Sequence, residues 1–341
     1  MLGIAGIPGA GDHEGSNAMK AIVQDAYGSA DLLELREVER PVPRDDEVLV
    51  EIRAAGLGPE VWHLMTGRPL VARAVLGLRK PKNPVQGWDG AGRVEAVGAK
   101  VTDFKPGDEV FGNCEGSFAE FARAKAAKLA HKPAGLSFEQ AAALPVSGMT
   151  AYQALSGPAR PKPGQKVLVI GASGGVGCYA VQLAALYGAE VTGVCGPGGA
   201  DFVRAQGAAH VIDYTTEDIT GGPHRYDVVI DNAGQRPLPV LRRVLAPRGT
   251  LVIVGGEGGT AMFGGLSRGL RAVLLSPLVG QNLRNLVSVA RREDLLALKD
   301  LAENGKLVAP VDRTYPLAET AEAVRHLEKG HPRGKLVITV P

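Results

Sequence analysis

Seven residues, Gly171-Ala172-Ser173-Gly174-Gly175-Val176-Gly177, carry the chemistry that is most legible in this chain. The apolar run Val167 to Ile170 leads into them and the apolar stretch Tyr179 to Leu186 follows. An order of strand, tight glycine turn and helix lets a backbone approach a pyrophosphate closely and aims free N-terminal amides at its charge. An ordinary βα connection can also be rich in glycine, but the flanking elements favour a dinucleotide seat made by Gly171, Ser173, Gly174, Gly175, Val176 and Gly177. In that seat Gly174 permits close approach, and Gly177 lets the helix pack on the sheet.

The next apolar run, Glu190 to Val194, ends in Cys195-Gly196-Pro197-Gly198-Gly199. A carboxylate here would grip a ribose diol and repel a 2′-phosphate. Its absence makes NADPH the expected dinucleotide over NADH, although no Lys or Arg stands ready for the phosphate. Cys195 and Gly196 are therefore expected beside the cofactor. Gly255 and Gly256, after the run Thr250 to Val254, are small enough to admit a nicotinamide ribose or to form a simple turn.

Candidates for the reacting partner are fewer. Trp62 and Trp88 could stack on a flat acceptor, or serve as core in a chain with 5% aromatics. His63 has the type of side chain that passes protons near neutral pH, and equally the type that packs on a surface. Cys114, Cys178 and Cys195 have no paired spacing for zinc or a disulfide framework, which points to a reducing, cytoplasmic setting.

Positioning these groups requires two domains. Residues 19–144 begin with short β segments set off by Gly and Pro: Lys20 to Gln24, Glu47 to Ala55, Gly90 to Val97 and Glu109 to Phe111. In the second of these, Val48, Val50 and Ile52 alternate with Leu49, Glu51 and Arg53, so the first set faces a core. Ser137 with Gln140 predicts a capped helix start. Between Lys166 and Gly256 apolar runs alternate with helical stretches, as a parallel sheet covered on both faces demands. The expected α/β fold thus joins a mainly β domain to a doubly wound parallel sheet, the latter over residues 145–282.

Residues 1–18 are expected to be a disordered extension or tag. They lack a basic stretch for export, and Ser16-Asn17-Ala18 before Met19 resembles a cleavage remnant, which makes Met19 a candidate natural start. Thirty-eight Lys and Arg against 36 Asp and Glu leave a formal charge of +2, so no broad field favours nucleic acid. No apolar run approaches the roughly 18 residues of a membrane span. A soluble protein without a membrane partner is expected.

Together, the glycine turn, Phe104-Lys105-Pro106-Gly107-Asp108-Glu109-Val110, Gly116-Ser117-Phe118-Ala119-Glu120 and Arg333-Gly334-Lys335-Leu336-Val337-Ile338 resemble the medium-chain dehydrogenase/reductase superfamily, in its quinone oxidoreductase-like branch. The resemblance runs from Met19 to Pro341. It implies a GroES-like domain built from 19–144 and 283–341, a Rossmann domain between them, and a homodimer. It also implies that Thr150 packs beside the nicotinamide and that Lys335 reaches a cofactor phosphate. Zinc-dependent relatives hold their metal with a Cys and a Gly-His-Glu motif. Gly58 and Trp88 stand at those places, and His63, Asp89 and Cys114 do not make a replacement set, so no zinc is expected.

A zinc-free site suits hydride transfer to a small quinone or α,β-unsaturated carbonyl acceptor, which needs less polarisation than a plain alcohol. Two alternatives stay open: an alcohol or aldehyde dehydrogenase of the same superfamily, and a non-catalytic dinucleotide sensor. The second draws on Gly58 and Val61, where relatives commonly carry Asn and Asp.

Overall fold

Alternating and β-branched segments shape the first half of the computed structural model, which describes residues 17–222, 225–255, 264–330 and 332–341. The expected N-terminal extension up to residue 16, and Gly256, lie outside the described residues. Strand β1 (Ala18–Val23) starts one residue inside that expected extension and pairs antiparallel with β2 (Glu34–Glu39). The long β3 (Glu47–Leu57) buries Val48, Val50 and Ile52 completely and leaves Glu51 and Arg53 half-exposed as an ion pair at 2.8 Å. From Val50 to Arg53 this is the two-residue period of a strand with one face on a core, whereas Leu49, expected on the outer face, is also buried. Strands β4 (Asp89–Val97), β5 (Glu109–Asn113), β6 (Phe121–Lys125) and β7 (Leu129–His131) continue the sheet. Between β3 and β4 stand helix α1 (Pro59–Thr66) and the short α2 (Arg73–Leu76).

The transition to the second domain is capped as expected. Ser137 Oγ accepts from the Gln140 amide at 3.2 Å and Gln140 Oε1 accepts from the Ser137 amide at 3.0 Å, which starts α3 (Phe138–Ala142). Pro145, with no N–H to waste, opens the buried α4 (Pro145–Ala154).

Six parallel strands follow: β8 (Lys166–Ile170), β9 (Glu190–Cys195), β10 (His210–Asp213), β11 (Tyr226–Asp231), β12 (Leu245–Ile253) and β13 (Asn282–Asn285). Helices α5 (Gly175–Leu186), α6 (Ala200–Ala205), α7 (Leu238–Val244) and α8 (Leu266–Leu275) cover them. Along β8, Val167 and Val169 enter one apolar cluster while Leu168 and Ile170 enter another, so both faces are buried. The order is β10-β9-β8-β11-β12-β13. Strand order reverses at β8, and the crevice beyond its carboxyl end is where such sheets take ligands. β13 carries this sheet across the boundary expected at 282, through Asn285.

After α9 (Arg292–Glu303) the chain returns to the first sheet with β14 (Val311–Pro316), α10 (Thr320–Glu328) and β15 (Lys335–Thr339). β15 inserts between β14 and β3, giving β14-β15-β3-β4-β5-β7 with β6 also on β3. That insertion brings the start of β15 to the glycine turn.

Candidate functional site

At the carboxyl end of β8 the backbone turns through Gly171, whose φ of +77° only glycine adopts without strain. The Gly171 and Ala172 amides both donate to the Val194 carbonyl, which ties the turn to β9. A Cβ on Gly177 would lie 2.0 Å from the Gly171 carbonyl oxygen, so α5 seats this close to the sheet only because residue 177 has no side chain. By contrast, a Cβ on Gly174 would meet only that same oxygen, at 3.6 Å, which leaves the outer side of the turn open. Gly174 is the N-cap of α5 and offers no side-chain oxygen, so the first-turn amides of Gly175, Val176 and Gly177 have no capping acceptor. The Ser173 carbonyl accepts from Gly334 N at 2.9 Å and fastens the turn to the chain just before β15.

Lys335 then runs alongside. Its side chain is 2% exposed, and its Cδ is so near Gly175 that a Cβ there would come within 2.9 Å. The buried ammonium has no hydrogen-bond partner, and Glu60 Oε1, also without one, lies 3.8 Å away. Asp89 completes the cluster: it is fully buried, accepts from the Val146 amide on α4 at 3.1 Å and receives Asn113 Nδ2 at 3.3 Å. Burial pushes the Asp89 carboxyl up to about 8, Lys335 opposes that rise and Glu60 adds to it. Helix α4 therefore spans the whole site, with Val146 on Asp89, Ser147 against Gly175 and buried Thr150 one turn further on.

At the end of β9, Cys195 is buried, and its sulfur lies 3.1 Å from where a Cβ on Gly199 would be. Only its backbone is left to border a ligand. Gly196 has Tyr214 over it, the phenol oxygen 3.1 Å from where a Cβ would be, and Tyr214 is half-exposed. On the other side of the switch point, Arg268 of α8 pairs with buried Asp231 at 2.8 Å and donates to the Gly255 carbonyl at 3.0 Å. A Cβ on Gly255 would be 1.9 Å from the Asn232 carbonyl oxygen, so this crossing too requires glycine.

The expected acceptor-side residues are more dispersed. Trp62 packs at the fringe of the first core and donates its indole N–H to Glu328 of α10 at 3.1 Å. His63 Nδ1 donates to the Arg68 carbonyl at 2.9 Å, which holds the loop after α1. Trp88 is half-buried with Lys128 Nζ 5.8 Å from its ring centroid, and its carbonyl accepts from Cys114. Val61 is buried in the same core as Met65. Gly58 caps α1 and abuts the Glu60 carboxylate.

Comparison with known proteins decides the family. Residues 44–134 match the alcohol dehydrogenase GroES-like domain, and residues 206–338 match a model described as zinc-binding dehydrogenase. A chloroplast envelope quinone oxidoreductase homolog of Arabidopsis thaliana is 34% identical, over 94% of this chain and 98% of that protein. The chain belongs to the medium-chain dehydrogenase/reductase superfamily, in its quinone oxidoreductase-like branch. Within that superfamily, a chloroplastic NADPH-dependent alkenal/one oxidoreductase of the same plant is 32% identical over 94% of this chain and 79% of the relative. The structure of the quinone oxidoreductase from Coxiella burnetii superposes with a TM-score of 0.84 at 30% identity, over 95% of this chain and all of that one.

For a medium-chain dehydrogenase/reductase the turn fits a nicotinamide dinucleotide on two grounds visible here: the uncapped first-turn amides of Gly175 to Gly177 beside the open space at Gly174, and the Lys335 ammonium, which has no hydrogen-bond acceptor. Glu60, Tyr214 and Arg268 escape sequence reasoning. A Glu in the first turn of a helix reads as a complement to the helix dipole, and nothing local marks it as the neighbour of a distant lysine. Tyr214 ends an apolar run, and Arg268 stands in a helix without a charge motif around it.

Proposed function

We propose that this chain is a zinc-independent, NAD(P)H-dependent oxidoreductase, preferring NADPH, that acts on a quinone or α,β-unsaturated carbonyl. The observation that carries the reading is the buried Lys335 ammonium, which has no hydrogen-bond acceptor and only Glu60 at 3.8 Å, next to the uncapped start of α5. A buried cation without a hydrogen bond is costly even with a carboxylate 3.8 Å away, and an anionic ligand supplies the missing acceptor. Bound at the turn, a reduced nicotinamide supplies a hydride to an electrophilic carbon. The first-turn amides and Lys335 hold the pyrophosphate, Thr150 and Gly255 border the nicotinamide end, and Cys195, Gly196 and Tyr214 border the adenosine end.

Zinc independence is supported by the side chains around Trp88: Asp89 is engaged by Val146 and Asn113, His63 by Arg68, and burial raises the Cys114 thiol well above its usual range. Among the described residues no group of three or more His, Cys, Asp or Glu converges. The NADPH preference rests on the residues directly after β9, Gly196 to Gly199, none of which is a carboxylate. A homodimer is supported by β13, which among the described residues ends its sheet, and by exposed Leu270, Val273, Leu274 and Leu278. Three buried free thiols support a reducing, cytoplasmic location.

Titration with NADPH and NADH by nucleotide fluorescence, with metal analysis of the same sample and a panel of quinones and enones, tests this reading. Tighter NADPH binding, no stoichiometric zinc and oxidation of NADPH by at least one acceptor are expected; bound zinc with alcohol oxidation would replace it by the alcohol dehydrogenase alternative. Buried Val61 and the engaged Trp62 and His63 favour one second reading, a dinucleotide sensor. Tight binding with no turnover across the panel would select it.

A further inference from the structure

From Val61 to Trp88 the chain carries Arg68, Arg73, Arg79, Lys80 and Lys82 and not one Asp or Glu. This is a local excess of five positive charges in a chain whose whole formal charge is +2. Arg73 is spent internally, stacked 4.4 Å from the Tyr27 ring centroid and donating to the Gly67 carbonyl at 3.0 Å. Arg68, Arg79, Lys80 and Lys82 are exposed and, among the described residues, form no ion pair. The flanking carboxylates do not offset them: Glu60 and Asp89 turn inward to Lys335, and Asp25 is paired with Arg36 at 2.7 Å.

The same loop exposes apolar side chains. Val75 is 73% exposed, Leu78 76% and Val71 37%. They sit on a fixed scaffold, since Tyr27 Oη donates to the Gly77 carbonyl at 2.8 Å, the Lys82 amide donates to the Leu76 carbonyl at 2.8 Å, and His63 holds Arg68. Gly77, at φ +125°, makes a turn so tight that a Cβ there would lie 2.1 Å from the Lys80 carbonyl oxygen, so exposed Val75 and Leu78 and the cations Arg79 and Lys80 share one short turn of chain. Exposed apolar side chains among cations without ion pairs are the composition that inserts into the headgroup boundary of an anionic bilayer. Duplex nucleic acid would use the cations but gain nothing from Val75 and Leu78, and a single strand would call for exposed aromatic rings that this loop lacks.

We propose that the loop of residues 68–82 is a docking surface for an anionic lipid bilayer, a partner that the balanced charge of the whole chain argues against and the local excess of five argues for. It lies outside the cofactor site and its occupancy does not depend on the redox reading. Attraction extends over about one Debye length, so docking weakens as salt rises.

Co-sedimentation of the full chain with vesicles of phosphatidylcholine mixed equally with phosphatidylglycerol, against phosphatidylcholine alone, tests the proposal. Binding to the anionic vesicles is expected, lost as salt rises. Each Lys or Arg near such a surface is worth about fivefold in affinity, so combined Arg79→Glu, Lys80→Glu and Lys82→Glu should weaken binding by roughly a hundredfold or more. Val75→Ser with Leu78→Ser should weaken it about tenfold through lost apolar insertion. Thermal midpoints equal to the parent's establish that both variants fold. Equal binding to neutral and anionic vesicles, or no binding to either, overturns the proposal. So does a charge variant that weakens while the apolar variant does not, with duplex DNA bound as tightly as the vesicles; that pattern assigns the loop to a polyanion instead.

Discussion

Asp89 has no exposed surface, and its proton is linked to the stability of the whole chain. The folded protein retains that proton up to about pH 8, whereas an unfolded chain releases it near the ordinary 3.8. Between those values the folded state binds more protons, so this group's contribution is complete below the lower value and is lost as pH rises toward the upper one. Asp89→Asn should therefore flatten the fall in denaturant midpoint between about pH 4 and pH 8; a variant with the parent's slope would show that Asp89 ionises normally. At Lys335, replacement by Met removes the cation and should weaken NADPH binding by about tenfold to a hundredfold, the worth of a charged hydrogen bond. A fluorescence titration with unchanged affinity would separate Lys335 from the phosphates. Lys335 is legible in the sequence because it stands in a motif. Asp89 is legible only as a possible metal ligand, since its burial under α4 is a tertiary fact. Glu60 leaves no trace, because its partner arrives from the far end of the chain.

At the scale of elements, α5 is seated by a missing side chain and α3 by a present one. Gly177→Ala would place a Cβ 2.0 Å from the Gly171 carbonyl oxygen, and a backbone atom cannot swing aside. We expect a cost of about 1–3 kcal/mol together with loss of dinucleotide binding, measured by thermal melts with and without NADPH. Ser137→Ala removes the capping box of α3 and should cost about 1 kcal/mol in denaturant unfolding, without affecting binding. The strands that alternate or run apolar on both faces, such as β3 and β8, are readable from period alone. β2, β6 and β7 are not: the exposed face of β2 and the three residues of β7 give too short a pattern, and their pairing comes from neighbours in space.

For the molecule as a whole, the open edge at β13 and the apolar tips of α8 are the outstanding surface. If two copies join there, Leu270→Lys with Leu274→Lys should convert a dimer into a monomer in analytical ultracentrifugation; an unaltered sedimentation coefficient would move the contact elsewhere. The division into two domains is visible in the change of period near Ser137, whereas the return of the tail is carried by family likeness, since nothing in residues 311–339 themselves names β3 as their neighbour. That return orders events during synthesis. The six-stranded sheet is complete once Asn285 has left the ribosome, while β15, which must separate β14 from β3, is translated after every other strand. Until then β3 presents a bare edge and the glycine turn lacks its lysine. The nascent chain thus acquires a finished second domain before its first one, and it cannot hold a dinucleotide firmly until Lys335 has been made.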